Sequence, residues 1–289
     1  LARTNRLTDA AQQARLRRFR FPVLAVAFFV VMVANAGINR LVSPVALLAL
    51  PVGIGAAVAI VAGYRRLSRI VEQRTDVTEV GKRGMWPGLL RGALIGSGLF
   101  AVLILVIAMF GGWQDVSWGS VGGFIATAGT TASVAVIEEV LFRGIVFRIM
   151  EEHLGTVITL VACSVLFGLV HLVNVNATLW GAISIGLTGG AMTGSAYVAT
   201  RSLWMPIGMH FAWNFMHAGV FGVALSGSAE PPHGLLHTTL SGPSALTGGT
   251  FGPEASLLTM LVCVIPTVLL LRCAVRDGQI LPRRRRAEA

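Results

Sequence analysis

Two adjacent carboxylates, Glu138 and Glu139, interrupt the apolar run Ala135-Val-Ile-Glu-Glu-Val-Leu-Phe-Arg143. An ionisable side chain at membrane depth costs several kcal/mol unless it is paired or faces a wet cavity, so it marks a functional site by default. His171, His210 and Asn214 are likewise set in apolar surroundings. A carboxylate can take a proton from water, and imidazole and carboxamide donors can hold that water or stabilise an oxyanion. Together these groups suit hydrolysis of a peptide bond within a helix bundle.

Spacing assigns the carboxylates different tasks. Glu139 and Arg143 stand four apart, glutamate first, the order that favours an ion pair on a helix. Glu138, one position around, is left to face a cavity. His210 and Asn214 are also four apart and share a helix face. A turn near His153-Leu-Gly155 makes a hairpin in which Glu138 and His171 meet at nearly equal depth. His210 and Asn214, following Arg201, are expected in the cytoplasmic half or the middle of the membrane. Depths then match if the hairpin turn projects into the cytosol.

These residues need helices that cross a bilayer, and the composition supplies them. Hydrophobic residues make up 54% of 289 positions and charged residues 12%, about half the charged share of a soluble domain. Mean hydropathy is +0.74. The fold class expected is therefore all-α, a polytopic membrane bundle. Eight apolar segments have the length a bilayer requires: about 21–38, 43–63, 88–112, 121–147, 156–173, 179–200, 204–225 and 255–271. The division expected is a basic arm over 1–20, two helices and a polar loop over 21–87, a six-helix body over 88–271, and a basic tail over 272–289.

The net charge of +10 invites a nucleic-acid reading, but its placement argues against one. With both termini in the cytoplasm, every Lys and Arg except Arg40 falls on the inner side, as the positive-inside rule requires. Anionic lipid at the cytoplasmic face is the partner this implies. Ala34-Asn-Ala36 resembles a signal-peptidase site, although the Arg-rich arm favours an uncleaved anchor. Cys163, Cys263 and Cys273 have no metal-ligand spacing and read as small core residues.

Simpler readings exist for each piece. A lone intramembrane histidine is often a helix–helix hydrogen-bond partner, and a Glu–Arg pair can be structural glue. His217 reads as a neighbour without a role, His233 and His237 as solvated, and Trp180, Trp204 and Trp213 as packing or interface aromatics. Glu254 reads as part of the loop entering the last span. The sequence has no His-Glu-x-x-His, no Gly-x-Ser-Gly of the rhomboid type and no Gly-x-Gly-Asp of the presenilin type.

Three motifs in order resemble one family. Glu138-Glu-Val-Leu-Phe-Arg143, Phe167-Gly-Leu-Val-His171 and His210-Phe-Ala-Trp-Asn214 match the Glu-Glu-x-x-x-Arg, Phe-x-x-x-His and His-x-x-x-Asn/Asp motifs of the CPBP group. That group comprises the type II CAAX prenyl endopeptidases and the bacteriocin-processing or self-immunity proteins. The resemblance covers roughly 120–271. It implies an eight-helix intramembrane endopeptidase opening toward the cytosol. Glu138 resembles the water-activating glutamate, and Glu139 and Arg143 complete its motif. His171 resembles the histidine that holds the water, and His210 with Asn214 the oxyanion pair.

The expected mechanism needs no cofactor. Zinc held by Glu138, His171 and His210 is the alternative. The expected substrate is a membrane-embedded or lipid-anchored peptide. An Arg-rich chain with one Lys looks bacterial, which suggests the plasma membrane and leader peptides or anti-sigma factors rather than prenylated tails. Competing readings are a non-catalytic immunity or scaffold protein and a proton-coupled transporter. The paired broken-helix halves of a transporter are not evident.

Overall fold

The computed structural model describes residues 18–229 and 233–283. Most of the basic arm (1–17) and Arg284 to Arg286 of the tail lie outside the described residues. Long helices follow the apolar runs: α1 (Arg20–Val42), α2 (Ala46–Glu72), α3 (Met85–Met109), α4 (Val121–Glu139) and α5 (Arg148–Val170). After them come α6 (Leu179–Ile185), α7 (Met192–Thr200), α8 (Trp204–Asn214) and α9 (Leu257–Arg276). Five helical stretches are long and apolar enough to cross a membrane: Arg20–Val42, Ala46–Glu72, Met85–Met109, Val121–Val173 and Leu257–Arg276.

α2 outruns its expected end at residue 63. Its extension is amphipathic: Tyr64, Ser68, Val71 and Glu72 are buried, while Arg65, Arg66 and Arg69 interleave with them. Charge ends a hydropathy window there, but not a helix with one apolar face. The polar loop expected from 64 therefore starts after Glu72.

Residues 121–170 run as helix with one break. Gly155 has φ +73 and ψ 168, a left-sided conformation that glycine adopts freely. The chain reverses there, because Glu138 and His171 line one cavity, whereas a straight helix would set them about 50 Å apart. The expected hairpin is present.

Three wide, i→i+5 turns were not foreseen. They span Val140–Phe147, Gly186–Ala191 and Phe215–Val220, each adjoining the candidate residues. Such turns loosen the backbone ladder and recur at functional sites. In the first, the Gly144 carbonyl accepts from Tyr64 Oη at 2.7 Å and Arg148 Nε at 2.8 Å.

The all-α expectation needs one correction. β1 (Trp113–Trp118) pairs antiparallel with β2 (Leu236–Leu240), Val116 facing Thr238, with a register shift between Trp113 and Asp115. The partners lie more than a hundred positions apart, so no local hairpin signal announces them.

Polar contacts separate the two ends of the bundle. At one end Glu72 accepts from Arg148 at 2.6 Å. There too Arg74 pairs with Glu79 at 2.6 Å and Arg201 with Glu151 at 2.5 Å, and Arg20 bonds Glu152. At the other end lie the ribbon and the 171–178 and 221–256 segments. They are joined by Asn174 to the Ser226 carbonyl (2.6 Å) and Trp180 to the Ala255 carbonyl (2.8 Å).

Small residues set helix spacing. A Cβ on Gly92 or Gly96 would overlap the Met205 or Met209 backbone, and one on Gly208 would overlap Leu89. α3 and α8 thus touch backbone to backbone, fixing the depth of His210 and Asn214.

Candidate active site

A cavity of about 950 Å³ opens inside the bundle. Glu138, His171, His210 and Asn214 all line it, together with Phe167, Thr188 and Thr193. The structure therefore brings together the four side chains that spacing placed at similar depth.

Glu139 sits behind this wall, fully buried. Its Oε1 accepts from Arg143 Nη1 at 3.0 Å, from His210 Nδ1 at 2.9 Å and from Thr193 Oγ1 at 3.3 Å. The expected i,i+4 pair is present, and it reaches one residue further than spacing showed. Because a carboxylate accepts, His210 donates from Nδ1 and turns Nε2 toward Glu138, 3.8 Å from Oε2.

Arg143 is 1% exposed, and four groups hold it. Besides Glu139, its Nη2 donates to the Gly189 and Gly190 carbonyls at 2.9 and 2.8 Å, and its guanidinium lies 4.7 Å from the Phe167 ring centre. The two carbonyls belong to the wide turn at Gly186–Ala191. That turn thus points backbone acceptors at the cation, which joins α4, α5 and α7.

Just past the end of α5, His171 Nδ1 donates to the Phe167 carbonyl at 2.7 Å, which leaves Nε2 as the acceptor. Asn214 is 7% exposed, one turn beyond His210. Glu138 Oε2 and Glu139 Oε2 are buried acceptors with no hydrogen-bond partner among the described residues. An orphaned acceptor facing a cavity is where a proton, a water or a donor from a substrate belongs.

Other candidates fall elsewhere. His217 is buried with its ring 4.1 Å from Phe100 and its Nδ1 bonded to the Trp213 carbonyl. It does not line the cavity. His233 and His237 are exposed, His233 at the cavity mouth. Glu254 does more than lead into the last helix. Its carboxylate accepts from Trp213 Nε1 at 3.0 Å and from Ser226 N and Oγ at 2.8 and 2.7 Å, closing one wall.

Sequence reasoning missed Thr193, the Gly189 and Gly190 carbonyls and Glu254. Phe167 was visible as the first residue of its motif. Thr193 had one faint signal, a hydroxyl among the small residues of 186–194.

Both imidazoles are held through Nδ1, His210 by Glu139 and His171 by a carbonyl, an arrangement that leaves Nε2 open to water or to a metal alike; no group of three His, Cys, Asp or Glu among the described residues is gathered tightly enough to hold a metal ion.

The exposed residues Arg40, Pro44 and His233 line the cavity at its ribbon end.

Comparison with known families matches part of the chain. Residues 121–216 match the Rce1-like family, the type II CAAX prenyl endopeptidases. The match contains all six candidate residues and bears out the resemblance carried by the three motifs. No curated protein and no solved structure matches the chain. Long apolar helices around an Rce1-like segment make this an integral, multi-pass membrane protein.

Proposed function

We propose that the chain is an intramembrane endopeptidase that cleaves a membrane-embedded or lipid-anchored peptide with water activated by Glu138. The observation that carries this is the convergence of Glu138, His171, His210 and Asn214 on one cavity, with Glu139 and Arg143 buried behind them.

Glu138 takes a proton from water, which His171 Nε2 helps to position by accepting its second hydrogen. The resulting hydroxide attacks the peptide carbonyl. Asn214 Nδ2 and His210, donating from Nε2 as an imidazolium, stabilise the oxyanion. Glu138 then returns its proton to the leaving amine as the C–N bond breaks. Glu139 and Arg143 are positioning residues: Glu139 orients His210, and Arg143 anchors Glu139. No step runs through a metal.

The reading includes eight crossings with both termini in the cytoplasm. Helical runs 179–200 and 204–220, interrupted by wide turns, join the longer helices in passing alternately between the basic end and the ribbon end. The plasma membrane of a bacterium is the setting proposed.

The test is cleavage of a membrane-tethered peptide library by purified protein, wild type against Glu138→Ala, with and without a zinc chelator. Cleavage that survives chelation and is lost in Glu138→Ala is expected. Cleavage abolished by chelator and restored by zinc would overturn the metal-free mechanism. Full cellular function retained in Glu138→Ala would point to a scaffold instead.

A further inference from the structure

We infer that the cavity is entered from the non-cytoplasmic side, so that the substrate is an exported peptide anchored at the outer surface rather than a cytosolic tail. The inference rests on the hydrolase reading for the word substrate, and on charge and geometry for the side.

The two ends of the bundle differ sharply in charge. Arg20, Arg74, Arg148 and Arg201, each paired to a glutamate, lie at one end with Lys82 and Arg83. Arg40 is the one basic side chain at the other end among the described residues. Basic residues are retained in the cytoplasm, so the ribbon end faces out.

The cavity belongs to that outer end. Its rim carries Arg40, Pro44, Asn174 and His233. No lining residue comes from 64–84, 148–163 or 200–206, the segments of the basic end. The inward path is closed by packing. Below Glu138 lie Glu139, Val140, Leu141 and Arg143, none more than 5% exposed. Beneath them the Gly144 carbonyl is capped by Tyr64 and Arg148.

Depth agrees. His171 follows the last residue of α5, Val170, and begins the outer loop. It lies 16 residues past the Gly155 turn, about 24 Å of helix rise in a hydrocarbon core about 30 Å thick. His171 is therefore near the outer surface. Met32, Ala36, Val170 and Val173 add apolar lining beside the polar rim, which suits an anchored peptide whose apolar portion stays in the outer leaflet.

Single-cysteine labelling of the full chain tests the side. In a Cys273→Ser background, with Cys163 and Cys263 buried, Pro44→Cys reports the rim and Thr75→Cys the basic end. A membrane-impermeant maleimide is expected to label Pro44→Cys on intact cells, and Thr75→Cys only after lysis. Labelling of Thr75→Cys on intact cells overturns the inference. Cleavage of a lipid-tethered peptide is then read in vesicles sorted by that label, and is expected when peptide is supplied on the Pro44 side. Cleavage only from the Thr75 side also overturns it. Labelling needs no activity, so outside labelling without cleavage would count against the hydrolase alone.

Discussion

Replacing Arg143 with methionine keeps the length and apolar stem of the side chain and removes its charge and donors. The loss can be worked out from its contacts. Glu139, with no exposed surface, loses the cation 3.0 Å away. The Gly189 and Gly190 carbonyls lose donors at 2.9 and 2.8 Å. Removing one partner of a buried ion pair typically costs about 3–5 kcal/mol, chiefly because the other charge is left uncompensated. Thr193 and His210 still donate to Glu139, which places the expected loss toward the lower end of that range. Glu139→Gln in the same chain removes the stranded charge. The double variant is therefore expected to be more stable than the sum of the single losses predicts, by about 0.5–3 kcal/mol, the usual coupling for groups in contact. The assay is reversible unfolding of wild type, both single variants and the double variant in mixed lipid–detergent micelles titrated with SDS, followed by tryptophan emission. A cost below about 1 kcal/mol for Arg143→Met, the level of an exposed pair, or strictly additive losses, would refute the reasoning.

Gly92→Leu should destabilise by about 1–3 kcal/mol or more by overpacking, since even a Cβ there overlaps the Met205 carbonyl; Gly98→Leu, whose Cβ meets nothing within 4 Å, should leave the melting temperature unchanged. Burial would push the Glu79 carboxyl up, but the hydrogen bonds from Arg74 and Tyr64 outweigh it and hold the group below its ordinary value. A folded value below the unfolded one gives stability that is complete above about pH 4.3 and is lost as the pH falls through the folded value. Melting curves across that acid range should therefore be less pH-dependent for Glu79→Gln than for wild type, and equal slopes would contradict the assignment. Glu254→Ala leaves Trp213 Nε1 and the Ser226 donors without their acceptor and should cost about 1–3 kcal/mol, measured by thermal unfolding; an unchanged midpoint would show that the wall stands without it.

The helices were legible because apolar length is a property of single segments, and the Glu139–Arg143 and His210–Asn214 relations because four-residue spacing is local. Gly155 was legible as a turn because little else adopts its φ. The wide turns were not, since an i→i+5 register is set by what the backbone meets across the bundle: Arg143 against Gly189 and Gly190, Tyr64 against Gly144. Thr193 escaped for the same reason, its partner Glu139 being 54 positions away. The ribbon pairs strands joined by no local turn. Residue counts alone do not fix the depth of the site: the count from Arg201 gives a middle depth for His210 and Asn214, while the 16 residues from Gly155 carry His171 about 24 Å along α5.

The most direct measurement of the central claim is the rate of peptide cleavage by Glu138→Gln relative to wild type, with folding verified by the same unfolding titration. Glu138 lines the cavity and its Oε2 has no hydrogen-bond partner among the described residues, so glutamine, which keeps the side chain's shape and breaks no hydrogen bond at that oxygen, should cost no more than about 1 kcal/mol. Loss of the general base should lower the rate by about 10²–10⁴-fold. A folded Glu138→Gln protein that cleaves within about threefold of wild type, far short of that loss, would contradict the assignment of water activation to Glu138.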